Sequence, residues 1–74
     1  MRKIEGFVYK QIANMGATKY EIERTVDACA RFKGDFTDDC VFKSNKQLTK
    51  ETINNLLRMR LIRFDETEGK YVKN

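Results

Sequence analysis

The sequence predicts a mainly α fold closed by a C-terminal β-hairpin, and three observations predict it. Apolar residues recur at helical spacing through most of the chain, and no proline interrupts them. Thr18, Thr37 and Thr49 each stand at the head of a segment suited to a helix. After Leu61 the pattern changes to the alternation of a strand, folded back through a turn that contains Gly69. The 74 residues suit one small domain with a single core, and 41% of them are apolar.

The first helix is expected over 2–15. Ile4, Phe7, Val8, Ile12 and Met15 form its apolar stripe, and Gly16 sits where a glycine ends a helix. Gly6 weakens it slightly. Thr18-Lys19-Tyr20-Glu21 has the spacing of a capping box, in which Thr18 and Glu21 satisfy each other's backbone amides. The helix that follows, over 18–33, carries Ile22, Val26, Cys29 and Phe32 on one face. A short third helix over 38–44 would be capped by Thr37, with Asp38 and Asp39 against its dipole and Phe36 stapled to Val41. A short strand over 40–43 competes with it. Ser44 to Gln47 reads as a polar turn. Thr49 then caps a helix over 49–60, with Leu48 stapled to Ile53 and with Ile53, Leu56, Leu57 and Leu61 facing the core. A hairpin over 61–73 completes the chain, turning at Asp65 to Gly69.

Composition removes several function classes. No apolar run approaches the ~20 residues of a membrane span or resembles a signal peptide, so the expected compartment is the cytoplasm. Cys29 and Cys40 are then expected as reduced, small core residues. With two cysteines and no histidine, the chain lacks the usual four ligands of a structural zinc site, and no metal or other cofactor is expected. There is no glycine-rich phosphate loop and no nucleophile with a nearby base, so the chain is not expected to be an enzyme.

The net charge of +4 is mild, but its distribution is uneven. From Lys43 to Arg63 six basic residues face one acid, Glu51. Acids gather on either side, at Asp35, Asp38 and Asp39 and at Asp65, Glu66 and Glu68. With the apolar stripe of helix 49–60 inward, helix geometry sends Lys50, Glu51, Asn54, Asn55 and Arg58 outward. Asn can bond adenine in a bidentate way, Arg can do so with guanine, and Lys serves phosphate. Lys43, Lys46 and Arg63 are the neighbouring candidates for phosphate, and Gln47 and Thr52 are lesser ones. The bland reading is a solvated helix face, against which the poor helix formers Asn54 and Asn55 argue mildly. Tyr9, Phe42 and Tyr71 read as core edge, whereas Tyr20 falls off the Ile22 stripe.

The segment from Phe36 to Val72 resembles a winged helix-turn-helix domain. The phrase LTKETINNLLRMRLI is similar to that family's cap, β-branched residue, paired leucines and strand. The resemblance implies that Thr37–Lys43 is the first helix of the motif, Ser44–Leu48 its turn and Thr49–Arg60 its recognition helix. Ile62–Phe64 and Tyr71–Val72 would be the wing strands, and helix 18–33 the family's first helix. It covers about half of the chain. Arg60 replaces the family's usual glycine before the first wing strand, and the wing tip, Asp65-Glu66-Thr67-Glu68, is acidic.

Two functions follow as expectations. One is a small regulator of double-stranded DNA, with helix 49–60 in the major groove and helix 2–15 left for homodimerisation. The site residues are then Lys43, Lys46, Lys50, Asn54, Asn55, Arg58 and Arg63. The other is a protein-binding winged helix, an adaptor or small inhibitor of a larger machine, which would suit a virus or mobile element.

Overall fold

The computed structural model describes residues 3–29 and 44–74. Helix α1 spans Lys3–Met15, α2 Lys19–Cys29 and α3 Asn45–Arg58. Strands β1 (Ile62–Asp65) and β2 (Lys70–Lys73) form an antiparallel hairpin, with Phe64 opposite Tyr71. Three helices and a hairpin among the described residues are compatible with a winged-helix-like architecture.

Each described boundary has a local cause. Gly16 ends α1 at φ +73, in the left-handed region a glycine enters without a Cβ penalty, and its N–H donates to the carbonyl of Ile12. The capping box of α2 is formed as its spacing predicts. The Glu21 amide donates to Thr18 Oγ1 at 3.1 Å, and the Thr18 amide donates to Glu21 Oε1 at 2.9 Å. Between the two helices, Ala17 exchanges both backbone hydrogen bonds with Tyr71, at 2.9 and 2.8 Å. A single residue of the α1–α2 connection thus extends the hairpin on the β2 side.

Helix α3 starts earlier than expected. Ser44, with extended backbone, is its N-cap, and its Oγ accepts from the Gln47 amide at 3.2 Å. Ser44 through Leu48 is therefore a cap and a first helical turn, not the connecting turn of a helix-turn-helix. Thr49 is not a cap: it is fully buried inside the helix, and its hydroxyl donates to the Asn45 carbonyl at 2.7 Å. The cause is that Ser44 is as good a cap as Thr49, and starting there draws Leu48 into the core. Position 44 lies outside any helix, and the remainder of the expected helix 38–44 falls outside the described residues, as do Lys43 and the far end of helix 18–33.

The core joins Ile4, Val8 and Ile12 of α1, Ala17, Ile22 and Val26, Leu48, Ile53 and Leu56 of α3, and Ile62 of β1. Two expected stripes are corrected. On α1, Phe7 is 51% exposed and Met15 78%, because Ile4, Glu5, Val8 and Ile12 take the inward positions. On α3, Leu57 is 37% exposed, because Leu48, Thr49, Thr52, Ile53 and Leu56 already fill the inward face. Tyr9, Leu61 and Tyr71 pack at the core edge.

Candidate functional site

The outward row of α3 is made of Lys46, Lys50, Asn54 and Arg58, all exposed and each four residues from the next. Successive members of such a row are neighbours on a helix surface, so they present one continuous polar strip. Leu57 lies beside Arg58 at its C-terminal end. Because the inward face is built from residues four and three apart, the opposite face receives this row without any further choice.

Asn55 does not belong to the strip. It is half-buried, and its Nδ2 donates to Glu5 Oε2 of α1 at 2.7 Å. Its expected outward position is therefore corrected: the inward stripe, shifted toward Thr52 and Leu56, carries Asn55 to the α1 side. Glu51 is also only half exposed. Thr52, a lesser candidate, is fully buried, and its Oγ1 has no hydrogen-bond partner among the described residues.

The N-terminal half of the strip borders a second element. Lys19, Tyr20 and Glu23 of α2, Ser44, and Lys46, Gln47 and Lys50 of α3 line an open groove of about 740 Å³. Three lysines face one carboxylate across it, so the groove is electropositive. Tyr20 stands 68% exposed at the mouth, with the Arg24 guanidinium 6.0 Å from its ring centre. Asn45 ties the two helices together by donating to Asp27 Oδ1 at 2.6 Å. Sequence reasoning marked Tyr20 as lying off its helix stripe but missed Lys19 as its companion. Only the packing of α2 on α3 brings Lys19 to Lys46 and Lys50.

The hairpin tip carries opposite charge. Asp65 Oδ1 accepts from the amides of Thr67 and Glu68, at 3.0 and 3.3 Å, and so shapes the turn. Gly69, at φ +69, closes it by donating to the Asp65 carbonyl at 2.7 Å. Glu66 and Glu68 stay exposed at the tip, and Arg63 is exposed on β1. No helix among the described residues is long and apolar enough to cross a membrane.

These surfaces are an electropositive helix strip with a groove beside it, and an acidic hairpin tip. Comparison with protein families, curated proteins and solved structures finds no match, so the chemistry of these surfaces alone carries the functional reading.

Proposed function

We propose that the protein binds double-stranded DNA through the outward strip of α3. The observation that carries this is the exposed row Lys46, Lys50, Asn54 and Arg58 on one face of a capped helix. Two lysines supply phosphate contacts; Arg58 supplies a bidentate donor pair and Asn54 a donor and an acceptor side by side, both suited to reading base edges. Lys19, on the far side of the groove, adds a third cation at the N-terminal end. Arg63 lies beyond the other end, on β1. A role in transcription regulation follows from this reading.

Fluorescence anisotropy with duplex DNA at two salt concentrations tests it. Binding should weaken as salt rises, and Lys50→Ala should lower the salt slope by ~1 if it neutralises one phosphate. Asn54→Ala should cost ~1–3 kcal/mol on a preferred sequence and much less on mixed sequence. Absence of duplex binding at low salt overturns the reading.

One observation favours a second reading, a protein-binding adaptor or inhibitor. Glu66 and Glu68 are exposed at the wing tip, where phosphate would repel them. Replacing both with alanine strengthens DNA binding if the wing approaches the duplex. If the wing instead docks a protein, the same change weakens retention of that partner and leaves DNA affinity low.

A further inference from the structure

We propose that β1 is a self-pairing edge through which two copies of this chain join antiparallel, about a two-fold axis at Phe64. The inference stands independently of the nucleic-acid reading.

Backbone direction is the first argument. Tyr71 spends both its N–H and its C=O on Ala17, on the side of β2 away from β1. Tyr71 lies opposite Phe64 in the hairpin register. In an antiparallel ladder, hydrogen-bonded and non-bonded pairs alternate. Phe64 and Tyr71 are therefore a non-bonded pair, and Phe64 turns its own N–H and C=O toward the outer edge. The Asn74 amide donating to the Leu61 carbonyl at 3.0 Å fixes the same alternation. Among the described residues β1 has β2 as its one strand neighbour, and none of them pairs with its outer edge. An open edge is a template for another strand.

Side-chain order selects the occupant. Ile62-Arg63-Phe64-Asp65, read against itself in the antiparallel sense about Phe64, sets Arg63 of each copy opposite Asp65 of the other. The Phe64 residues of the two copies meet at the axis and exchange both of their outward backbone hydrogen bonds. Arg63–Asp65 then fall at the flanking non-bonded positions, where cross-strand side chains come closest. Centring the axis one residue earlier would set Arg63 against itself and leave the outward groups of Phe64 and Ile62 as the bonded pair. The charges reject that register and favour the first. Phe64 is 48% exposed despite its edge contact with Tyr71, at 5.1 Å between ring centres, so it has apolar surface left to bury. The expected dimer surface, the outer row of α1, is Lys3, Phe7, Lys10 and Asn14, in which two lysines recur. Self-pairing there brings like charge together, whereas β1 carries its own complement.

A pair of four-residue strands is small beside a standard interface, so the dimer is weak and its population follows concentration. Sedimentation equilibrium and amide hydrogen exchange of the full chain, from micromolar to millimolar, test the proposal. The expected result is a monomer–dimer equilibrium in which the Phe64 amide becomes protected as concentration rises. Arg63→Glu should weaken the dimer by about tenfold or more, since it sets two carboxylates together on each side of the axis. Arg63 is exposed, and an unchanged circular dichroism spectrum confirms that the variant folds. In a synthetic chain, N-methylation of the Phe64 amide removes only the outward donor and should abolish the dimer. A chain that stays monomeric throughout overturns the proposal. So does a dimer that leaves the Phe64 amide freely exchanging, or one that is indifferent to Arg63→Glu.

Discussion

The amide of Asn55 in α3 donates to the carboxyl of Glu5 in α1 at 2.7 Å, across 50 residues of sequence. Glu5 is 4% exposed, so this is a polar contact inside the α1–α3 interface. Removing a donor from a buried acceptor costs about 1–3 kcal/mol. Asn55→Ala should therefore destabilise the fold by that amount in urea unfolding. It should change the affinity for every duplex sequence equally, in contrast to Asn54→Ala. A double-mutant cycle with Glu5→Ala should show coupling, and strict additivity would mean that the contact contributes nothing.

The two adjacent leucines of α3 should behave differently. Leu56 is fully buried and Leu57 more than a third exposed. Leu56→Ala should cost ~2–5 kcal/mol through lost contact and a cavity. Leu57→Ala should cost less than about 1 kcal/mol, as surface changes do. Denaturation midpoints of the two variants check this, and equal losses would show that the face of the helix is misassigned.

Arg60 adopts φ +59 at the end of α3, in the region where glycine is at ease and a side chain is not. Its amide donates to the Leu57 carbonyl and the Leu61 amide to the Leu56 carbonyl, both close to 3 Å, which is a Schellman closure. The Asn74 side chain holds the Arg60 carbonyl at 2.9 Å. Arg60→Gly should relieve the strain at some cost in unfolded-chain entropy, for a net gain of about 0.5–1 kcal/mol. Thermal unfolding should show a higher midpoint for the glycine variant and no gain for Arg60→Ala.

The Glu21 carboxyl is held below the ordinary carboxylate range, first by the Thr18 backbone amide and then by the Thr18 side chain; Lys70 adds a smaller attraction against a small burial effect. A lowered native pKa means that the unfolded chain binds the proton more readily. This contribution to stability is complete above the unfolded pKa and is lost as pH falls through the native one. NMR titration should give Glu21 a midpoint below that of a glutamate in a short peptide, and Thr18→Ala should raise it. No change in that variant would remove the Thr18 side chain as a cause and leave the backbone amide, which alanine retains, to account for the shift.

Several features are legible in the sequence itself. Gly16, the Thr18–Glu21 box and the hairpin each depend on residues close in sequence, and such interactions leave a local spelling. The start of α3 was not, because Ser44 and Thr49 are two competent caps five residues apart. Only the burial of Leu48 decides between them. The same shift turned Leu57 outward and Asn55 inward. Lys50, Asn54 and Arg58 were readable as the remainder once the inward face is assigned, whereas Lys46, expected in a turn, joins their row only because α3 starts at Asn45. The groove was not, since Lys19 and Lys50 meet only through the packing of α2 against α3.

The bridge between Ala17 and Tyr71 also bears on the order of events in folding. It joins the connection after α1 to a strand that is synthesised much later. Loop closure over that span must precede any gain from the contact, so the bridge forms late and slowly compared with the helices it fastens. During translation α1 and α2 can become helical, but their connection stays untied until β2 has emerged. A nascent chain halted before Tyr71 would expose the apolar face of α1 to chaperones and proteases.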